Sequence, residues 1–466
     1  MTSYLRMADS LRFGTDGWRA VIGREFTFAN LSRMARATVK WLKLSNPAPR
    51  VVVGHDTRFM GRLFAEHVAQ EFANEGATVI LASGPTPTPA ISWAATRQGI
   101  SAGVVITASH NPPEYSGYKI KTHFGGPATD MMTGAVEKLM EPYAPSSRRH
   151  GRELVEERNI TAEYTEYLRS LFDLGSIDVR LVHDPMYGAG QGILSRLLSS
   201  KCVTEIRSEI NPGFGGIAPE PIEKNLGELM ESVVRQGATV GIAHDGDADR
   251  IGVVDERGDI VTSHLVMALL AAHLHKYHSL KGAIVRTFAT SAILTKMGAA
   301  WGIPVETYPI GFKHVAPRFL ETDVLVGGEE SGGIAVAGHI PERDGIYVAL
   351  VLLNMLAERQ KPLTALVQEL FDEFGPHAYY RSDVHTQKQP EIIADLRRMG
   401  GLRQIGGRKV NSMDLLDGFK HLMEDAWLLI RPSGTEPVLR IYAEAPTGSE
   451  AETLVHDVLT QFDLPT

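Results

Sequence analysis

The sequence predicts an α/β protein: three similar α/β domains on mixed or parallel sheets, then a smaller α+β domain. Three observations carry this. Short Val/Ile-rich runs alternate with longer segments of helical period. Three of those runs end in the same pair, His55-Asp56, His183-Asp184 and His244-Asp245, a weak internal repeat. Beyond residues 373–384 the alternation gives way to paired strands and a closing helix. A chain of 466 residues exceeds one core and suggests about three or four domains.

Taken in order, "RVVVGHD", "ATVILAS" and "AGVVITAS" are apolar runs without alternation, separated by "RFMGRLFAEHVAQEFANEG" and "AISWAATRQGI". Strands of that kind are covered on both faces, as in parallel sheets. Gly76 and Gly99 stand where helix C-caps belong. "VRLVHDP" follows a helix near residue 170, and "ATVGIAHDGD" follows "LGELMESVVRQG"; "GAIVRTFATS" and "DVLVGGEESGG" come later. The segment "DAWLLIRPSGTEPVLRIYAEA" reads as two strands about a turn, and "SEAETLVHDVLTQF" as the last helix. Polar, helix-poor stretches at 141–154, 255–260 and 373–384 divide the chain into 1–150, 151–255, 256–373 and 374–466.

A formal net charge of −8 argues against nucleic acid as the main partner. The single cysteine, Cys202, excludes an internal disulfide or a cysteine metal site and suggests a reducing compartment. "MTSYLRMADSLRFG" lacks the apolar core of a signal peptide. The longest apolar run, "SHLVMALLAAHLHKYHSL", is interrupted by His273 and His275 and reads as a packed helix, not a bilayer span. A cytoplasmic protein without membrane partners is expected.

Four constellations carry chemistry. In "HDGDADR", Asp245, Asp247 and Asp249 alternate, so an extended or looped backbone points three carboxylates one way. Their repulsion calls for a cation, and hard oxygen ligands suit Mg²⁺; a solvated acidic turn is the plainer alternative. An EF-hand is rejected, because Arg250 occupies the position that needs glycine and both flanks are strand-like. In "ASHNPP", Ser109 is a nucleophile or a helix N-cap. Neighbouring side chains in a strand face opposite ways, so Ser109 and His110 do not imply a triad. Lys119, beyond the loop, offers a proton carrier or a phosphate contact. "GGEESGG" (327–333) brings Glu329 and Ser331, an exposed carboxylate and a hydroxyl suited to sugar hydroxyls, or else a plain glycine turn. In "RPSGTEPVLR", Arg431, Ser433, Gly434 and Thr435, with Arg440, make the inventory of an anion cradle without a Walker lysine, or else a bland hairpin.

With "RFGTDGWRA", "TASHNPPEYSGYK", "DGDADR", "GEESGG" and "RPSGTEPVLRIYAEA" in this order, the whole chain resembles the α-D-phosphohexomutase superfamily, in its bacterial phosphoglucomutase/phosphomannomutase group. The resemblance implies four domains around a central cleft, bearing in turn a phosphoserine loop, a metal loop, a sugar loop and a phosphate loop. It makes Ser109 the phosphorylated serine, with Asp245, Asp247, Asp249 and a phosphoserine oxygen holding Mg²⁺. Arg250 and Lys119 would stabilise charge and carry protons, and His110 would lie near the transferring group. Arg19 and Arg58 would face the cleft, Arg19 among the catalytic groups and Arg58 among those that bind substrate. "IGFKH", with Gly311, Lys313 and His314, resembles the loop that tells sugar epimers apart. Glu329 and Ser331 would hold sugar hydroxyls; Arg431, Ser433, Gly434 and Thr435 the non-transferring phosphate. The implied reaction interconverts hexose 1- and 6-phosphates through glucose 1,6-bisphosphate, intermediate and activator. "GEESGG" differs from the "GEQSGH" of glucosamine mutases and the "GEMSGH" of dual mannose/glucose enzymes, which favours glucose.

Overall fold

The computed structural model describes residues 11–145, 151–199, 202–433 and 437–465. The chain divides into two compact units, one of residues 1–281 with 311–364, the other of 282–310 with 365–466.

The first unit holds a six-stranded sheet in the order Trp18–Val21, Tyr115–Thr122, Ala102–Ile106, Arg50–His55, Thr78–Ala82, Val155–Arg158. The last four strands run parallel, and Tyr115–Thr122 and Trp18–Val21 join antiparallel at the other edge. Its apolar runs are buried on both faces as their lack of alternation requires. Val51, Val53, Val79, Val104 and Ile106 form one core with Leu31, Met34, Phe64, Val68 and Phe72 of the helices Phe28–Lys43 and Gly61–Asn74. Gly76 takes the left-handed backbone one residue past the cap of the second helix; Gly99 does so in the turn after Thr88–Ala95. The edge strand comes from beyond residue 150.

A five-stranded sheet follows in the order Ile260–Val261, Ile251–Val254, Val240–His244, Leu181–Asp184, Val203–Glu205, the last three parallel. Strands thus flank "DGDADR" on both sides, which removes the EF-hand. The hairpin Val324–Gly328 with Ile334–Val336 presents the loop 329–333. Asp344 caps the apolar helix Gly345–Arg359 through Tyr347 N–H, 2.9 Å.

The second unit contains the parallel pair Ala283–Thr287 and Val305–Tyr308, with the helix Ile293–Trp301 between them. It also holds an antiparallel sheet in the order Ala378–His385, Val438–Ala445, Trp427–Pro432, Phe419–Leu422, Ser412–Asp414. The helices Gln389–Met399 and Gly448–Gln461 cover one face of that sheet. Trp427, Leu429 and Tyr442 pack on the other against Phe288. Among the described residues no helix is long and apolar enough to cross a membrane.

Candidate active site

Two parallel strands deliver the reactive groups at their carboxyl ends, where open α/β sheets bind ligands. Ala102–Ile106 leads to Ser109 and Val240–His244 leads to Asp245. Ser109 Oγ donates to Asp245 Oδ2 at 2.6 Å across 136 residues. Ser109 is not a helix cap. Its φ is +54°, a conformation that costs a non-glycine residue roughly 1 kcal/mol and persists only when its surroundings enforce it. This turn corrects one expectation: Ser109 Oγ and His110 Nδ1 are 3.3 Å apart, because the backbone there is not a strand.

The enforcing group is Arg58. Its Nη1 donates to the carbonyls of Pro112 and Tyr115 at 2.7 and 3.0 Å, and its Nη2 to those of Ser109 and Asn111 at 2.7 and 2.6 Å. Its Nε lies 3.2 Å from Asp56 Oδ2. The expectation that Arg58 meets substrate therefore fails. The side chain is fully buried and its guanidinium is spent on the serine loop. Asp56 in turn accepts from Thr107 Oγ1 at 2.6 Å, while burial pushes its carboxyl up to about 6.

The three aspartates converge, though through a tight turn with Ala248 at φ +58° instead of an extended run. Asp245 Oδ1 accepts the N–H groups of Asp249 and Arg250 at 3.0 and 3.1 Å and so closes the turn on itself. Lys119, on Tyr115–Thr122, places Nζ 2.8 Å from Asp247 Oδ2, 2.8 Å from Asp249 Oδ2 and 2.9 Å from Asp16 Oδ2. Burial lowers the affinity of Lys119 for its proton, but these carboxylates outweigh burial and raise it above the ordinary lysine range. Burial and the two neighbouring carboxylates push Asp245 well up. Lys119 and Thr88 hold Asp247 down against burial.

The donor set fits a hard divalent cation. All three aspartates are fully buried, with ligand oxygens within 4.8 Å of one another. Lys119 takes one oxygen each from Asp247 and Asp249, and their remaining Oδ1 atoms are buried without a hydrogen-bond partner among the described residues. A cation, a ligand donor or an ordered water would satisfy such atoms, and three convergent carboxylates favour the cation.

Around this nest stand Arg19, which donates to Asn111 Oδ1 at 2.8 Å, and Arg250, 3.4 Å from Glu220 Oε1. Burial, then the charges of Arg250, Arg19, Lys119 and Arg343, hold His110 well below the ordinary histidine range, so it is neutral at pH 7. Glu329 is buried, not exposed as expected, with Oε2 3.3 Å from Arg343 Nη1; Ser331 beside it is half-buried. Gly311 has φ +132°, and a Cβ there would meet Thr15 Cγ2 at 2.7 Å, which accounts for glycine in "IGFKH". Lys313 pairs with Asp130 at 2.5 Å, and His314 is half-buried beside it.

Sequence reasoning missed Asp16, Lys121, Glu342 and Arg343. Arg343 Nη2 bonds Asp249 Oδ2 at 2.7 Å and also Asp16. Lys121 Nζ lies 2.7 Å from Glu342 Oε2. Signals existed: Lys119 and Lys121 share a strand face, and "ERD" at 342–344 is a charged triplet directly before an apolar helix. A Cβ on Gly333 would fall 2.3 Å from Arg343 Cδ, so Arg343 fills the space that a side chain at 333 would need.

In the second unit, Arg431 and Arg440 are cross-strand partners, each held by an acid: Arg431 Nε by Asp417 at 3.0 Å, Arg440 Nε by Asp383 at 3.7 Å. Ser433 N–H closes the hairpin on Val438 O at 2.8 Å. Gly434 and Thr435 lie outside the described residues.

An α/β fold with a serine and an acidic nest at strand carboxyl ends defines a class, enzymes whose site can carry a phosphoryl group beside a cation. Family models place this chain within it. Phosphoglucomutase/phosphomannomutase α/β/α domains I, II and III match residues 10–145, 162–258 and 262–374, and the C-terminal domain of that family matches 383–461. A phosphoglucomutase/phosphomannomutase of Thermococcus kodakarensis is 33% identical, over 94% of this chain and 95% of its own. A phosphoglucosamine mutase of Carboxydothermus hydrogenoformans is 31% identical, over 96% and 98%. A crystal structure from Thermus thermophilus, described provisionally as a phosphomannomutase, superposes with a TM-score of 0.86 at 37% identity, over 97% and 99%. The chain belongs to the α-D-phosphohexomutase superfamily, a group of Mg²⁺-dependent intramolecular phosphotransferases.

Proposed function

We propose that this mutase interconverts glucose 1-phosphate and glucose 6-phosphate through a phosphorylated Ser109 and a glucose 1,6-bisphosphate intermediate. The observation that carries the reading is the 2.6 Å contact of Ser109 Oγ with Asp245, beside carboxylate oxygens without a hydrogen-bond partner among the described residues. Asp245, Asp247, Asp249 and Ser109 would hold Mg²⁺, which neutralises charge on a transferring phosphoryl group. Lys119 enters as an ammonium. In that form it stabilises phosphoryl oxygens and can give a proton to a leaving alkoxide. Arg19 and Arg250 add fixed positive charge, and neutral His110 can accept a hydrogen bond. Glu329, oriented by Arg343, and Ser331 bind sugar hydroxyls, with Gly311, Lys313 and His314 lining the epimer-sensing loop. Arg431, Ser433, Gly434, Thr435 and Arg440 grip the non-transferring phosphate. Four domains near 1–150, 151–255, 256–373 and 374–466 carry these parts.

The reading for glucose rests on "GEESGG" and on Arg343, which orients Glu329 from the space above Gly333. Phosphoglucosamine mutase is the second reading, supported by relatives of that name that match almost the whole chain. The test is a coupled assay on glucose, mannose and glucosamine 1-phosphates with Mg²⁺, together with intact mass. The glucose reading expects the highest kcat/KM on glucose 1-phosphate, and one added phosphate that Ser109→Ala loses. A preference for glucosamine 1-phosphate would overturn the substrate, and an absence of phosphate on the wild type would overturn the serine.

A further inference from the structure

A second cluster of ligating side chains lies outside the nest. The helix Ser263–Ala272 runs into a π-turn over His273–Tyr277, and His278 N–H donates to His273 O at 3.3 Å. Along an α-helix, side chains five residues apart diverge by about 140°. The wider π-turn, a device frequent at functional sites, brings them to one side. The two imidazoles stand 4.6 Å apart, with their Nε2 atoms 3.1 Å from each other. Glu358, in the last turn of Gly345–Arg359, places Oε2 3.1 Å from His278 Nε2 and 3.6 Å from His273 Nε2.

Between neutral imidazoles at most one N–H can serve this triangle. If both Nε2 atoms carry hydrogen, two donors face each other; if only His278 does, its single N–H is shared between two acceptors, His273 Nε2 and Glu358 Oε2. A cation makes all three atoms lone-pair donors. Nitrogen and oxygen ligands about 2.0–2.1 Å from a tetrahedral Zn²⁺ stand roughly 3.3 Å apart, which matches the triangle. Asn354 Nδ2 donates to Glu358 Oε1 at 2.7 Å and leaves Oε2 aimed at the imidazoles, the outer support typical of ligating carboxylates. His273 is buried, whereas the side chains of His278 and Glu358 are 40% and 43% exposed. The fourth position is therefore open to water.

We propose that His273, His278 and Glu358 form a second cation site, selective for a borderline transition-metal ion such as Zn²⁺, that clips the π-turn to the end of the helix Gly345–Arg359. The all-oxygen aspartates prefer a hard ion; two imidazoles do not. The two sites thus divide the available metals by ligand chemistry.

The untagged full chain, stripped with chelator and held in excess Mg²⁺, is titrated with Zn²⁺ against a chromophoric chelator, and its melting temperature is followed. One Zn²⁺ binds per chain with micromolar or tighter affinity and raises the melting temperature by several degrees. His278→Ala and Glu358→Gln each weaken binding by roughly 10- to 100-fold and lose the thermal shift. Both variants keep the circular dichroism of the stripped wild type, since both side chains are half exposed. Co²⁺ in place of Zn²⁺ gives visible bands that the variants lack. No Zn²⁺ bound by the wild type, equal binding by the variants, or loss on Asp245→Asn with His278→Ala unaffected would each overturn the site.

Discussion

The nest around Ser109 and the hairpin 431–440 both gather charge, and they do so in opposite ways. In the nest Lys119, Asp247, Asp249 and Arg343 are buried and Asp16 nearly so, and each charge has partners drawn from distant segments. In the hairpin two half-buried arginines sit across one strand pair, each with a single acid among the described residues. The first arrangement fixes geometry at the cost of desolvation; the second leaves cations able to turn toward a ligand. On the proposed reaction the nest handles charge that develops during transfer, and the hairpin only grips a charge already present.

Substitutions should separate the two regions. Ser109→Ala has the largest effect, a loss of roughly 10³-fold or more in kcat with no phosphate on the protein, seen by assay and mass spectrometry. Lys119→Ala follows. It leaves buried carboxylates uncompensated and should cost about 3–5 kcal/mol in denaturant unfolding as well as activity; an unchanged midpoint would show the nest to be softer than described. Arg58→Lys keeps the charge but cannot hold four carbonyls, so kcat should fall about 10- to 100-fold while KM moves little, the pattern of a misplaced nucleophile. Arg431→Ala should raise KM about tenfold and change stability by less than about 1 kcal/mol; a large drop in kcat alone would contradict a gripping role.

The two units also differ in acid tolerance. Burial beside His183 holds His244 down to about 3. At this histidine the unfolded chain therefore binds a proton below about pH 6.5 that the folded chain does not, and this contribution to the first unit's stability is lost from there toward pH 3, by up to about 1.4 kcal/mol per pH unit. In the second unit, burial raises Glu444, but donors from His377, Ser291 and Ala292 outweigh it and bring it to about 2. That contribution is lost only as pH falls from about 4.5 toward 2. Hydrogen exchange at pH 7, 5.5 and 4.5 should show the first unit opening earlier; the reverse order would reject both assignments.

The sequence by itself determined the parts that depend on neighbours along the chain. Unalternating Val/Ile runs became buried parallel strands, "DGDADR" became an acidic turn between strands, and the strands Trp427–Pro432 and Val438–Ala445 paired antiparallel. Tertiary structure alone decided what each side chain touches. Arg58 read as a ligand contact and is a clamp on the serine loop, because its four carbonyl partners lie more than 50 residues away. Ser109 and His110 meet because packing enforces a left-handed backbone that no local preference supplies. Arg343 occupies the space over Gly333 through the way the segments flanking Ile334–Val336 fold back, and two histidines share a point with Glu358, 80 residues further along the chain from His278. A periodicity reports which face of an element is apolar; a long-range hydrogen bond depends on where two elements finally stop, and that is set by the packing of the whole unit.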